Sequence, residues 1–544
     1  MSNYERKFGN QGYGRYGSGQ QVPAPSKMEW ASWSHFSGGL ELRDNRHEIP
    51  ENCSPDAVDI EISSRDELHR APGVLSVEPY VERNPNQIAL QASLDYTAEM
   101  IFFDPPFLGF RREDLTVWVD EGLSVTDEPY GYVNFGGTLI FSDGVGKVYQ
   151  RLSEAATIQE LADAPPARSY ANFAARIFAG NVFIDGKREP LGVVWSAASS
   201  DPDDWFGEGG GFEILVGNQN HADKIVAMRP LGFDLLAIIC RRSVWIASRT
   251  GILDRPADFQ MRAEGPGAIT DKACSVIPNG VMYLSDGGVY LFDGNVPRLM
   301  SDQINDQLLP LDLTKIHDYA TYYHPGTKKF YLFTPSATWI YDIDRNRWLK
   351  RSLIARGAVI FGIQLDQQTW GELLGTWGEQ SKRWGEFARP QTDTYDLYVL
   401  TNRGDGQAAL GRESDVATQN IDIDLDPSWE FLMTQGPYMN QLGTFQMILV
   451  EYSGSGTMQF SLPDINGHYH EAVERTVASP GVDVPVVTNF PFQYSGMGLG
   501  MKLRFLDGFA RVSKLQLGFV QRGPRIETGT FAPREYYEDF KGED

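Results

Sequence analysis

Hydrophobic and polar positions along this chain alternate in short runs, and turn residues interrupt the runs every few positions. From about residue 86 the pattern is steady: IALQASLDY, AEMIFFD, DLTVWVD, YVNFGGTLIF and GKVYQRL follow in order. Period-two alternation rich in aromatic and β-branched residues predicts half-buried strands. One strand-and-turn signature returns, as LIFSDGVGKVYQ at 139–150 and YLSDGGVYLFDG at 283–294, with a looser copy, TWIYDIDRNRW, at 338–348. The Asp-Gly pairs are expected to supply the positive φ angles of tight hairpins. A short helix is predicted over 151–164, where the LSEAATIQELADA pattern runs into Pro165 and Pro166.

Strand units recur roughly every 45–60 residues, close to the length of a four-stranded blade. The predicted fold class is all-β: a β-propeller of about five or six blades over 86–405. A separate β-sandwich is expected over 430–521, where FQMILVEYSG, TMQFSLPD, MGLGMKLRF and VSKLQLGFVQR alternate clearly. The remaining stretches read as an extended low-complexity arm at 1–29, an N-terminal platform of strands at 30–85, a linker at 406–429 and an extended acidic tail at 522–544.

Composition fits this picture. The chain has 544 residues, 55 glycines, 31 prolines and 12% aromatic residues, as many short strands joined by turns require. Its formal net charge of −24 argues against a sequence-reading DNA binder. An acidic wall can still line a passage through which DNA slides without sticking; solubility alone is the simpler reading of the same charge. Cys53, Cys240 and Cys274 show no CxxC spacing and cannot all pair, which argues against a disulfide scaffold or zinc cluster. The sequence has neither an apolar h-region at its start nor an 18-residue apolar run, so a soluble protein without a conventional secretion signal is expected.

Candidate chemistry is sparse. Residues 1–27 are poor in aliphatics and rich in Gly, Gln, Tyr and Ser, a composition that orders only on a partner. Tyr4, Phe8, Tyr13 and Tyr16 are its candidate contacts; packing on its own body is the alternative. Trp370, Trp377 and Trp384 are spaced seven residues apart, each followed by Gly and Glu. The glycines argue against a helix, so a series of turns is expected, with each indole in a hydrophobic slot. A structural repeat is preferred there over a partner-binding or sugar-stacking ladder. SDGVGKVY at 142–149 lacks the S-x-D-x-G-x-x-W spacing of sialidase Asp boxes, and no carboxylate pair is singled out for a glycosidase. His468 and His470 alternate on one predicted strand face, without the further ligands a metal needs. Arg403-Gly404-Asp405 is a turn composition first. No P-loop, GxGxxG or GxSxG is present. No catalytic residue, metal or cofactor is expected, and the chain is read as a non-enzyme.

Three stretches resemble one family. GGLELRDNRHEIPENCSPDAVDIEI near the start, RIFAGNVFIDGKREPLGVVWSAASSDPDDW with Trp195, Ser196, Asp201, Pro202 and Trp205, and GPGAITDKACSVIPNGVMYLSDGGVYLFDGNVPRLMSDQI with Asp286, Gly287 and Gly294 are similar to the tail nozzle or tail hub proteins of short-tailed bacteriophages, which include packaged-DNA stabilisation proteins. The resemblance covers residues 35–405. It implies a virion protein of the tail, made in the bacterial host cytoplasm. It further implies a ring of six copies below the portal and adaptor rings, a conduit that retains packaged double-stranded DNA and passes it during ejection, and attachment points for a needle, plug or fibres. Two competing classes are a receptor- or glycan-binding tail module and a propeller-type glycan hydrolase.

Overall fold

The structure, a computed structural model, describes residues 28–521 except 43–48, 51, 79–84, 93–97, 105–106, 113–114, 121–128, 153–156, 199–200, 217–221, 364–393, 403–407, 416, 422, 433–441, 464–468, 481–483 and 498–499. The described residues form a β-propeller and a β-sandwich, so the all-β reading holds. The propeller has seven blades rather than five or six. Six are antiparallel sheets of four consecutive strands, with innermost strands Gln87–Ala92, Ile225–Leu231, Ala167–Phe173, Gly131–Phe135, Cys274–Ile277 and Ala320–His324. In chain order these are blade 1 (87–120), blade 2 (131–161), blade 3 (167–214), blade 4 (225–264), blade 5 (274–299) and blade 6 (320–351).

Blade 7 explains the difference in count. Its first three strands, Ala355–Ile363, Thr394–Asn402 and Ala408–Ser414, reach into the segment read as a linker. Its fourth is Gly73–Glu78, from far upstream, laid antiparallel on Ala408–Ser414 with Gly73 opposite Ser414. No local pattern announces a strand pair more than 300 residues apart. The pairing is close: a Cβ on Gly411 would lie 2.1 Å from Val74 Cγ1. Innermost strands of blades 2 to 7 pack in succession, that of blade 7 packs on that of blade 1, and Asn134 of blade 2 donates to the Leu90 carbonyl of blade 1. Side chains stitch neighbours together: Gln87 Nε2 donates to the Tyr130 carbonyl and Gln87 Oε1 accepts from the Tyr130 amide, both at 3.0 Å.

The predicted helix at 151–164 is absent among the described residues there. Val148–Leu152 and Gln159–Leu161 are instead the outer strands of blade 2, and Leu161 is buried. Pairing to the sheet and burial of Leu161 outweigh a weak local helix preference. The recurring signature is also resolved into two kinds. At 139–150 and 283–294 it joins the second and third strands of a blade; at 338–348 it joins the third and fourth. The expected positive φ at Asp-Gly is met in blade 2, where Gly144 lies at +79°, and displaced by one residue in blade 5. In blade 5 the two-residue loop is Asp286-Gly287, and the positive φ, +120°, falls on Gly288. In blade 2 the loop is longer, and Asp143 Oδ1 accepts from the Val145 and Gly146 amides at 2.9 and 2.8 Å.

The sandwich draws on both ends of the chain. One sheet orders Val486–Met497, Leu442–Ser453, Arg511–Gln521, Leu68–Arg70 and Ile60–Ile62, with Glu29–Ser34 also on Arg511–Gln521. The other orders Ala57–Val58, Ser428–Leu432, Gly500–Gly508, Ser455–Pro463 and Tyr469–Ala478. The segment read as a platform at 30–85 is thus shared between the sandwich and blade 7. Trp33, Phe36, Trp429 and Phe431 meet between the sheets with ring centroids 5.6–6.5 Å apart.

The outer strand of blade 6, Arg347–Arg351, runs beside these N-terminal strands. The Asp59 amide donates to the Lys350 carbonyl (2.9 Å), Arg347 donates to the Ile62 carbonyl (3.1 Å), and one apolar core spans sandwich, blade 5, blade 6 and blade 7. Glu61 and Lys329 pair across the junction at 2.7 Å. Burial opposes the Glu61 charge, but Lys329, with His69 and Arg351, holds the carboxyl down at about 2. Because that lies below the unfolded value, the stabilisation is complete above about pH 5 and is lost as pH falls toward 2. It amounts to about 3 kcal/mol at neutral pH. Acid titration of unfolding stability should therefore show a fall over that window that is missing in Glu61→Gln. Parallel curves for the two proteins would refute the pairing.

Candidate functional site

The seven innermost strands surround an axial cavity of about 530 Å³, lined from all seven blades. That volume is of small-molecule size. Its walls carry hydroxyls and amides, among them Tyr132, Asn134, Ser275, Thr321 and Tyr322. The charged lining residues are Arg229, Asp271, Lys272 and Arg356. Three of the four are basic side chains, against a chain whose net charge is −24.

Their placement follows from the blade starts. Asp271 and Lys272 sit in the 3-10 turn Asp271–Ala273 that delivers the chain into blade 5. Arg229 reaches across from blade 4. Its guanidinium donates to Asp271 Oδ1 (3.1 Å), Asp271 Oδ2 (2.9 Å), and the carbonyls of Asp271 (2.8 Å), Cys274 (3.1 Å) and Met228 (3.0 Å). All of its donor capacity is thereby used. Burial disfavours its charge, but Asp271 more than compensates and raises its pKa. Lys272 Nζ donates to the Asn86 and His317 carbonyls, both at 2.8 Å, linking the approaches to blades 1 and 6. Burial pulls this ammonium down to about 7; Asp318 opposes the fall and Arg356 adds to it. The Tyr322 hydroxyl accepts from the Ile360 amide at 2.8 Å, and burial pushes its pKa up to about 12. Sequence inspection did not single out Lys272, since one lysine in GPGAITDKAC carries no spacing signal.

A second feature lies on the outer rim. Phe206, Phe212, Ile214 and Val216 of blade 3 and Ile252 and Leu253 of blade 4 are exposed apolar side chains, Phe206 at 84%. The segments that carry them adjoin: Arg176 bridges the carbonyls of Gly209 and Leu253, and Arg255 approaches Glu213 at 3.8 Å. Phe212 and Ile214 share a face of the blade's last strand, Gly211–Ile214.

Tyr4, Phe8, Tyr13, Tyr16, Trp370, Trp377, Trp384, His468 and the 403–405 tripeptide all lie outside the described residues. His470 lies on the strand Tyr469–Ala478. Among the described residues no group of three metal-ligating side chains forms. The three cysteines are buried thiols. Trp195 and Trp205 are structural: their indole N–H groups donate to the carbonyls of Gly209 (3.0 Å) and Pro202 (2.9 Å) within blade 3. Asp286 pairs with Arg241 of blade 4 at 2.7 Å. No described helix is long and apolar enough to cross a membrane.

No protein-family model matches the chain, and no curated protein does. Among solved structures it is similar to BamB from Moraxella catarrhalis, at 8% identity over 72% of this chain and 99% of that one, with a TM-score of 0.34. It is similar to the WD40 repeats of RRP9, at 9% identity over 63% and 99% of the two chains and a TM-score of 0.34. It is also similar to an exo-β-1,3-galactanase from Phanerochaete chrysosporium, at 8% identity over 73% and 97% and a TM-score of 0.23. Likenesses this remote transfer no activity. The propeller is defined by the chain's own seven sheets.

Proposed function

We propose that the protein is a structural component of a phage tail, a ring-forming nozzle or hub that retains packaged DNA and passes it during ejection. The observation that carries the assembly part of this reading is the apolar rim of blades 3 and 4. An exposed patch of this kind, rimmed by Arg255, Glu213 and Asp258, is the expected face for a neighbouring copy. The resemblance of three sequence stretches to tail nozzle proteins supplies the identity of the assembly. The axial cavity is of small-molecule size, so a conduit for duplex DNA runs between copies rather than through the blades. The portal-adaptor ring, needle, plug or fibres are the partners of this reading, and the virion tail its location. Its role is mechanical rather than catalytic.

Electron microscopy and mass spectrometry of purified particles test it. The protein should be present in virions, and alone or with its adaptor it should form rings. The double substitution Phe212→Asp and Ile214→Asp should leave a folded monomer and abolish rings. A protein absent from particles, or rings that survive both acidic residues, would overturn the reading.

A further inference from the structure

We propose that the axial cavity of the propeller is a binding site for a small oxyanion, a carboxylate or phosphate carried on a hydroxylated body, anchored by Lys272. The inference is independent of the tail assignment, since it concerns the inside of one propeller.

Charge is the first argument. Of the charged side chains that line the cavity, Arg229, Lys272 and Arg356 are basic and Asp271 is acidic; Asp271 is spent on Arg229, while Asp318 faces both Lys272 and Arg356 and Asp104 faces Arg356, so a basic pair with shared carboxylates borders the space open to a ligand. Donor accounting is the second. Arg229 is consumed by Asp271 and three backbone carbonyls, and so serves to position the wall. Lys272 spends two of its three N–H groups on the Asn86 and His317 carbonyls. Among the described residues the third has no hydrogen-bond acceptor, and the residue lines the cavity. The groups facing it are Asp271 and Arg229 beside it, His317 and Asp318 on the approach to blade 6, and Arg356 of blade 7. A bound oxyanion would return to Lys272 the counter-charge that burial denies it.

Shape is the third argument. The cavity holds more than a lone ion, and the Tyr132 and Thr321 hydroxyls and the Asn134 amide match hydroxyl groups on the body of a ligand.

Pyridoxal 5′-phosphate, an anionic aldehyde of suitable size, is the probe. A neutral lysine amine attacks its aldehyde carbon, water leaves, and borohydride supplies the hydride that fixes the imine as a secondary amine. At pH 7.5 peptide mapping should show Lys272 labelled roughly ten-fold faster than the exposed, ion-paired Lys147 and Lys328, because more of it is neutral. Pyridoxal without the phosphate should label Lys272 several-fold more slowly, because it lacks the phosphate that Arg356 would hold while the neutral Lys272 amine meets the aldehyde, and Lys272→Met should remove the label. Protection by inorganic phosphate identifies a phosphate ligand; protection by citrate alone identifies a carboxylate. Arg356→Gln, which keeps the amine, should reduce the preference for the phosphorylated probe. Labelling of Lys147 and Lys328 as fast as Lys272, equal rates for the two aldehydes, protection by neither anion, or an unchanged preference in Arg356→Gln would overturn the site.

Discussion

Trp348→Ala should lower unfolding stability by about 3–5 kcal/mol, at the upper end of what a single core truncation does. Trp348 is fully buried in the last strand of blade 6. Its indole N–H donates to the Met300 carbonyl of blade 5 at 2.8 Å, and its ring lies 5.0 Å from that of Tyr341. On the other side its backbone meets Gly39, where an added Cβ would come within 2.6 Å of the Trp348 carbonyl oxygen. The side chain therefore fills the corner where blade 5, blade 6 and the N-terminal strands converge. Removing it leaves a cavity that three elements would have to close together, and leaves the Met300 carbonyl without its donor. Trp348→Phe keeps most of the volume and loses the hydrogen bond, so it should cost about 1–2 kcal/mol. Urea unfolding followed by tryptophan fluorescence and by circular dichroism measures both. An alanine variant within about 1 kcal/mol of the parent would mean the corner is loosely packed.

Trp348 also shows what the sequence made legible. It stands in TWIYDIDRNRW, one of the copies that pointed to modular β-structure. Alternation of apolar residues announced the strands, because half-buried strands carry their burial in a period of two. The blade count was hidden for two physical reasons. The 338–348 copy joins a different strand pair from the other two, and innermost strands start at unequal intervals, at residues 87, 131, 167, 225, 274, 320 and 355. Ring closure then depends on Gly73–Glu78, a strand whose partner lies hundreds of residues away. The sandwich had the same difficulty, since Ile60–Ile62 and Leu68–Arg70 are short and gain meaning only beside Arg511–Gln521. The cavity was invisible for a further reason: its lining comes two or three residues at a time from every blade, so no window of sequence contains it. Aromatic spacing directed attention to Trp370, Trp377 and Trp384, and the charged cavity residues had no comparable periodicity.

The buried pair of Arg151 and Glu99 gives the second large effect, and it separates stability from specificity. Arg151 in blade 2 is 1% exposed and Glu99 in blade 1 is 2% exposed, with Nη1 and Oε2 2.6 Å apart. The same nitrogen donates to Gln91 Oε1 at 2.5 Å, Gln91 Nε2 donates back to the Arg151 carbonyl at 2.9 Å, and the guanidinium lies over the Phe110 ring at 4.1 Å. Nε and Nη2 of Arg151 have no hydrogen-bond acceptor among the described residues, so the desolvation of this cation is incompletely offset. Arg151→Met should therefore cost about 3–5 kcal/mol, because it strands a buried carboxylate rather than because the pair itself is strongly favourable. The double variant Arg151→Met with Glu99→Leu removes both charges and should recover at least half of that loss. If the two single losses simply add in the double variant, the two side chains do not act as a pair. If the double variant recovers, the pair's contribution lies in fixing the register of blade 1 against blade 2. Hydrogen exchange of the 98–104 and 148–152 amides should then rise in the double variant by more than its residual loss of stability accounts for, because an apolar replacement packs without prescribing which strand position faces which.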